Sequence, residues 1–118
     1  MRRILTHIVV VLLVALAFAG TAQAYPKGWM AQANCIHRHE STDWHKTTDW
    51  LGNPSRDHGG YQIDVGTWQV FAPKHWPQDP AYASPAQQTL VAWRIYVWNG
   101  RKWGGGQWPN TARACGLA

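Results

Sequence analysis

The sequence predicts an α+β domain that is mostly α-helical, with one short β-hairpin and one disulfide. Three observations support this prediction: an apolar stripe at helical spacing that leads to Glu40, a capping box that begins a second helix, and two cysteines near opposite ends of the domain. Of the 118 residues, we expect 25–118 to form this domain, which is long enough for one small hydrophobic core.

The first predicted helix runs from Pro26 to His39. Its apolar residues Trp29, Ala33 and Ile36 follow one another at i, i+4 and i+7, the spacing of one helix face. Glu40, the only glutamate of the chain, continues this spacing at the C-terminal end. Burial and the negative end of the helix dipole both disfavour a carboxylate there, so we expect the pKa of Glu40 to be raised.

The middle of the domain is predicted to be irregular, with a small β excursion. Residues 41–60 are rich in turn-forming residues, whereas residues 61–64 read as one strand of a hairpin. Thr67 is predicted to open a short helix that ends before Pro73.

The clearest local signal is the start of the last long helix. Ser84 is a predicted N-cap, Pro85 occupies the first helical position, and Gln87 completes a capping box. The helix should extend to about Trp98, because Asn99-Gly100 offers a left-handed stop. Its predicted apolar face comprises Leu90, Val91, Trp93, Ile95, Val97 and Trp98.

The first 24 residues have the features of a cleaved signal peptide. Arg2 and Arg3 precede a short apolar run, Ile8 to Ala19, and Ala22-Gln23-Ala24 forms an A-x-A cleavage site. The run is shorter than the roughly 20 residues that span a membrane. We therefore expect a secreted or cell-wall protein without a stable membrane anchor, the alternative being an uncleaved N-terminal anchor.

Cys35 and Cys115 are the only cysteines, and in an oxidising compartment we expect them to form a disulfide. Such a bond would close a loop of about 81 residues and stabilise the domain by roughly 4 to 5 kcal/mol in the chain-entropy model. Because the chain has no C-x-x-C motif, the predicted role is structural.

Charge argues against nucleic acid as a partner. The formal net charge of +5 falls to +3 when Arg2 and Arg3 leave with the signal peptide (5 minus 2). No lysine- or arginine-rich block is present, so we expect no nucleic-acid binding. A mild positive charge suits an anionic polymer such as a bacterial cell wall.

The chain holds nine tryptophans, and all of them follow residue 24. This number exceeds what one small core readily buries. We expect about half of them in the core and two or three in a cleft, where an indole face can stack on a sugar ring.

Six sequence elements, taken in order, resemble the lysozyme-like domain of actinobacterial resuscitation-promoting factors and related transglycosylase-like proteins. They extend over nearly all of residues 25–118. The elements are Cys35 with Glu40-Ser41, then Trp44, Gly59-Gly60-Tyr61-Gln62-Ile63, Thr67-Trp68, Ser84-Pro85-Ala86-Gln87-Gln88, and Trp108 before Cys115.

The resemblance implies a small lysozyme-like fold and a muralytic activity. The family cleaves the β-1,4 bond between N-acetylmuramic acid and N-acetylglucosamine in peptidoglycan, and its single catalytic glutamate corresponds to Glu40. It also implies a monomer that needs no cofactor or metal and binds peptidoglycan glycan strands. Implied substrate-binding positions are Thr67 and Asn99, with Trp44, Tyr61, Gln62 and Trp68 as further cleft candidates.

The chain departs from the best-known members beside the catalytic position. In those members cysteine directly precedes the glutamate, whereas here four residues separate Cys35 from Glu40. Thr42-Asp43 stands where the family has two glycines. The floor of the cleft beside Glu40 is therefore expected to differ.

Two reaction types stay open at this point. In lytic transglycosylases the C6 hydroxyl of muramic acid attacks and gives a 1,6-anhydro product, which needs no second carboxylate. Hydrolysis would use a second carboxylate about 5 to 9 Å away. The candidates are Asp43, which is the nearest in sequence, Asp49, Asp57 and Asp64.

Two other classes of function compete with the enzyme. A non-catalytic module could bind the wall through its tryptophans alone. A zinc-binding protein could use His37-x-His39-Glu40. Residues two apart on a helix point about 200° away from each other, however, so these histidines could not share a metal there, and no H-E-x-x-H motif occurs.

Overall fold

The structure, a computed structural model, describes residues 24–118. The predicted signal peptide therefore lies outside the described residues, apart from Ala24. In residues 24–118 no helix is long and apolar enough to cross a membrane. The elements are α1 (Trp29–Glu40), β1 (Asp57–His58), β2 (Ile63–Asp64), α2 (Val65–Phe71), a 3₁₀ turn (Pro80–Tyr82), α3 (Pro85–Trp98) and α4 (Pro109–Ala114).

Helix α1 confirms the predicted apolar stripe. Trp29, Ala33 and Ile36 are its buried residues, and they join the central core of the domain. The helix ends at Glu40, one residue beyond the predicted end, where the Ser41 N–H donates to the His37 carbonyl at 2.7 Å. The stripe thus carries the Glu40 side chain to the edge of the core.

The predicted hairpin forms, but its strands are short. Strands β1 and β2 are antiparallel, with Asp57 opposite Asp64 and His58 opposite Ile63. Only the second half of the predicted strand 61–64 is extended, because the chain turns at Gln62, which adopts a φ of 50°. The hairpin thereby brings two aspartates face to face at its open end.

The turn of the hairpin fits against α3 only because it contains glycines. A Cβ on Gly59 would lie 2.3 Å from Gln88 Oε1, and one on Gly60 would lie 2.3 Å from Trp44 Cε3. Gln88 in turn accepts a hydrogen bond from the Gly60 N–H at 2.9 Å. The paired glycines of the sequence therefore mark a close approach between backbone and side chains.

Helix α2 begins two residues earlier than predicted. The Asp64 side chain accepts a hydrogen bond from the Thr67 N–H at 3.1 Å and is the N-cap, so Thr67 lies in the first turn rather than at the start. The helix ends at Phe71, before Pro73, as predicted.

Helix α3 confirms the predicted capping box and its end at Trp98, with Gly100 in the left-handed region. Its predicted apolar face is wrong at the C-terminal end, where Val97 and Trp98 are 41% and 78% exposed. Val97 lies about 200° around the helix from the buried Ile95, and Trp98 is the last helical residue. The buried positions are Gln88, Thr89, Val91, Ala92 and Ile95.

A fourth helix, not predicted from the sequence, closes the domain. Helix α4 packs against α1, and the predicted disulfide between Cys35 and Cys115 joins the two segments, with the Cα atoms 6.0 Å apart. Trp103 and Trp108 are buried beside them, and the Trp108 indole donates to the Tyr61 carbonyl at 2.7 Å. These contacts fix α4 against the end of α1.

Candidate active site

The Glu40 carboxyl group is partly buried at the end of α1 and is held by α4. The Thr111 hydroxyl donates a hydrogen bond of 2.5 Å to Glu40 Oε1. Thr111 lies in α4, which the Cys35–Cys115 disulfide ties to α1. The second carboxyl oxygen, Oε2, remains available for other chemistry.

The pKa of Glu40 is raised, as expected. Its partial burial raises the pKa because it disfavours the charged form, and the hydrogen bond from Thr111 opposes this by stabilising the carboxylate. Asp57 raises the pKa further by like-charge repulsion, while His39 lowers it. A carboxylic acid with a raised pKa can keep its proton closer to neutral pH, as a general acid must.

Of the four candidate second carboxylates, Asp57 is the one whose charge acts on Glu40. Its own pKa is raised, first by burial and then by Asp64 across the hairpin. The charge of Asp57 therefore acts on Glu40, while its nearest acidic neighbour in the hairpin is Asp64.

The other candidate carboxylates have local structural roles. Asp43, the nearest in sequence, accepts a hydrogen bond from the His45 N–H at 2.9 Å. Asp49 accepts from the Leu51 and Asn53 N–H groups at 2.8 and 2.9 Å, and those bonds lower its pKa. Both aspartates therefore stabilise turns.

Two of the predicted substrate-binding residues, Thr67 and Asn99, line one cavity of about 410 Å³. Gln62 does not line it: the Gln62 carbonyl accepts a hydrogen bond from Gln107 Nε2 at 3.3 Å, and its side-chain amide donates to the Gly59 carbonyl at 2.8 Å. The remaining lining residues are Phe71, Ile95, Trp98, Gly106 and Gln107.

Two aspartates of the hairpin bear on Glu40 and on this cavity. On β1, the charge of Asp57 raises the pKa of Glu40; opposite it on β2, Asp64 accepts a hydrogen bond from the backbone N–H of Thr67, which lines the cavity. The hairpin therefore carries one residue that acts on Glu40 and one that caps the helix bearing Thr67.

The predicted cleft residues Tyr61 and Trp68 do not line this cavity and lie in the core. They are only 1% and 0% exposed. Tyr61 exchanges a hydrogen bond with Thr89 at 3.1 Å, and burial raises its pKa to about 12. The Trp68 indole donates to the Pro77 carbonyl at 2.8 Å. Both rings pack in the core.

Trp44 lies in a different place from the predicted cleft. Its ring stacks on His37 with centroids 4.2 Å apart. It lines a separate and mainly apolar groove of about 630 Å³, together with Tyr25, Met30, Trp76 and Leu90. The structure therefore separates Trp44 from Thr67 and Asn99.

The histidines of the zinc hypothesis have separate partners. His37 Nδ1 donates to the Ser41 carbonyl at 2.9 Å, and His39 Nδ1 donates to the Cys35 carbonyl at 3.0 Å. Within residues 24–118, one group of three metal-type side chains lies close enough to share an ion, namely Cys35, His39 and Cys115. Its two sulfurs are bonded to each other and offer no thiolate.

Sequence reasoning missed Thr111 and Trp98 as site residues. Thr111 follows Glu40 by 71 positions, and no local motif links the two. Trp98 had a signal, since it immediately precedes Asn99, but its helical spacing suggested the core.

Comparisons of the chain with protein-family models, with curated proteins and with solved structures found no match. The case for a function therefore rests on the geometry of the Glu40 site.

Proposed function

We propose that this protein is a secreted muralytic enzyme that cleaves the β-1,4 bond between N-acetylmuramic acid and N-acetylglucosamine in peptidoglycan. Residues 25–118 are its lysozyme-like catalytic domain, and Glu40 is the general acid and base. The proposed enzyme acts as a monomer on glycan strands and needs no cofactor. The observation that carries the proposal is a partly buried Glu40 at the end of α1, whose carboxyl group accepts a hydrogen bond from Thr111 and whose pKa is raised.

In the proposed reaction Glu40 first protonates the leaving glycosidic oxygen. The Thr111 hydroxyl donates to Oε1, so in this proposal Oε2 carries the acidic proton that is given to the glycosidic oxygen. Once ionised, the same carboxylate accepts the proton of the attacking hydroxyl group. Thr111 fixes the rotation of the carboxyl group through both steps.

The pairing of Glu40 with Asp57 bears on the attacking group. If water attacks, Asp57 is the candidate second carboxylate, because it is the aspartate whose charge acts on Glu40. If the muramic acid C6 hydroxyl attacks, Glu40 is sufficient and Asp57 serves to raise its pKa. Mass spectrometry of released fragments separates these routes, because the first gives reducing ends and the second gives 1,6-anhydro ends.

The test of the catalytic proposal is the Glu40→Gln variant on a suspension of purified peptidoglycan. We expect the loss of turbidity to fall by at least about a hundredfold, since general acid–base catalysis contributes about 10²–10⁴-fold. Sedimentation with the wall should persist, because Gln keeps the shape of the side chain. Asp43→Asn is the matched control, since it removes a nearby carboxylate that only caps a turn, and it should lyse at the wild-type rate.

A non-catalytic wall-binding module is the second candidate. The observation that favours it is the exposure of two indoles, Trp50 at 86% and Trp98 at 78%. Under this alternative the wild type binds the wall without releasing fragments, and Glu40→Gln behaves identically. Lysis by the Glu40→Gln variant would contradict the assignment of Glu40 as the general acid.

A further inference from the structure

Trp98 presents a large indole surface to solvent at the mouth of the Thr67 and Asn99 cavity. It is 78% exposed and is the last residue of α3. Phe71 packs edge-on against it, with ring centroids 6.0 Å apart and an interplanar angle of 71°. An edge-on partner restrains an aromatic ring while leaving most of its faces uncovered.

The surroundings of Trp98 supply hydrogen-bonding groups at the same cavity. Thr67 contributes a hydroxyl, and Asn99 and Gln107 contribute amides. The Asn99 amide has room because residue 106 is glycine: a Cβ there would lie 2.7 Å from Asn99 Nδ2. The cavity therefore combines one open aromatic face with donors and acceptors of both kinds.

This combination matches the chemistry of a pyranose ring. One face of such a sugar presents C–H groups with a partial positive charge, which are attracted to the negative face of an indole. Its edge presents hydroxyl and acetamido groups that exchange hydrogen bonds with amides and hydroxyls. The groove around Trp44 also holds amide and hydroxyl groups, from Asn34, Gln87 and Thr89, but most of its lining is apolar.

We propose that Trp98, with Thr67, Asn99 and Gln107, forms a sugar-binding subsite that stacks one N-acetylated pyranose of a glycan strand on the indole. The inference rests on the proposed function in that it names the substrate unit bound beyond the Glu40 centre. Thr67 of the subsite lies in α2, which is capped by Asp64, and Asp64 stands opposite Asp57, the aspartate whose charge acts on Glu40. A strand that occupies the subsite would be held while Glu40 acts on a neighbouring linkage.

The test measures binding and not cleavage, so all variants carry Glu40→Gln. The probes are soluble N-acetylglucosamine oligomers and soluble glycan fragments of peptidoglycan, titrated by NMR on the tryptophan indole N–H signals. Trp98→Ala should weaken the affinity by about three- to tenfold, the range for a lost aromatic contact. Trp98→Phe should retain most of the affinity because it keeps a ring.

Trp50→Ala is the matched control, since Trp50 is even more exposed but does not line this cavity. Its affinity should equal that of the parent variant, and the Trp98 indole signal should shift during titration while that of Trp50 stays in place. Equal affinities of Trp98→Ala and the parent, or failure of both probes to bind the parent, would overturn the subsite. Equal losses of affinity in the Trp98→Ala and Trp50→Ala variants would also overturn it. The same holds if the Trp98 indole signal moves with protein concentration alone, which indicates self-association.

The two proposals fail in different ways. If Glu40→Gln abolishes lysis while Trp98→Ala binds glycan normally, only the subsite is wrong. If Glu40→Gln still lyses peptidoglycan while Trp98→Ala weakens binding, the subsite stands and the catalytic role of Glu40 is wrong.

Discussion

At the scale of single residues, the pKa of Glu40 is set by opposed influences. Burial and Asp57 raise its pKa, whereas Thr111 and His39 lower it. Burial is the largest influence, so the net direction is upward. Thr111 is therefore not the source of the raised pKa; it limits the rise and orients the carboxyl group.

Removal of the Thr111 hydroxyl should move the pH profile of the enzyme. In Thr111→Val the hydrogen bond that stabilises the carboxylate is lost, so the pKa of Glu40 rises further. A general acid works only while protonated, so the alkaline limb of the pH dependence of kcat/KM should shift to higher pH. The maximal rate should fall about two- to tenfold because the carboxyl group loses its fixed rotation.

The conservative variant distinguishes this role from a structural one. Thr111→Ser keeps the hydroxyl and should restore the wild-type limb, even if the loss of the methyl group lowers stability. Titration of Glu40 by NMR checks the same pKa directly. If the alkaline limb of the kcat/KM profile is unchanged in Thr111→Val, or shifts toward lower pH, Thr111 neither orients the Glu40 carboxyl group nor limits its pKa.

Sequence predicts a residue's role well when local periodicity defines its environment. Glu40 follows the stripe of Trp29 and Ile36, and the structure gives it the expected partial burial and raised pKa. The burial of Tyr61 was not predictable, because its position in a motif does not tell which way a side chain points at a turn. Thr111 could not be predicted, since its contact with Glu40 exists only after α1 and α4 pack together.

At the scale of elements, the hairpin depends on side chains for its position. Each strand has only two residues, and a hairpin this small has little stability of its own. His58 fixes it: Nδ1 contacts the Asp79 carboxylate at 2.8 Å, and Nε2 donates to the Ser55 carbonyl at 2.8 Å. Asp79 is itself the N-cap of the 3₁₀ turn, so the hairpin is joined to the segment before α3.

Substitution of His58 should therefore loosen the part of the site that lies on the hairpin. His58→Ala removes the side-chain partner of the partly buried Asp79, which keeps only its cap bond from the Ala81 N–H, and this should lower the free energy of unfolding by about 1–3 kcal/mol. Amide hydrogen exchange should increase at β1 and β2, and activity should fall because Asp57 and Asp64 lose their register. His75→Ala, at an exposed position, is the control. Equal exchange in the two variants would show that His58 does not hold the hairpin.

Elements with a local signal were predictable, whereas α4 was not. The capping box of Ser84 and Gln87 defined the start of α3 by itself, and Asn99-Gly100 defined its end. Helix α4 has six residues, fewer than two turns, which is too short for an apolar period to be recognised. Its only local sign is Pro109 at the first helical position, and its stability derives from packing against α1.

At the scale of the whole molecule, the disulfide links stability to the geometry of the proposed active site. Cys35 lies on α1 and Cys115 directly follows α4, 80 positions apart, and these two helices supply Glu40 and Thr111. A covalent bond across so long a loop restricts the unfolded chain strongly. The disulfide also lies within about one helical turn of Glu40 on α1 and of Thr111 on α4, so it helps to maintain the hydrogen bond between these two side chains.

The double variant Cys35→Ser with Cys115→Ser should therefore affect both stability and the pH profile. The free energy of unfolding should fall by about 4 to 5 kcal/mol in the chain-entropy model, which is close to the whole stability of a small domain. Well below the melting temperature, the pH dependence of kcat/KM of the folded double variant should resemble that of Thr111→Val, with its alkaline limb at higher pH. The reason is that a loosened α4 weakens the hydrogen bond from Thr111 to Glu40. If stability falls but the limb stays at its wild-type position, core contacts such as the Trp108 indole with the Tyr61 carbonyl suffice to position α4. In that case the disulfide stabilises the fold without tuning the catalytic acid.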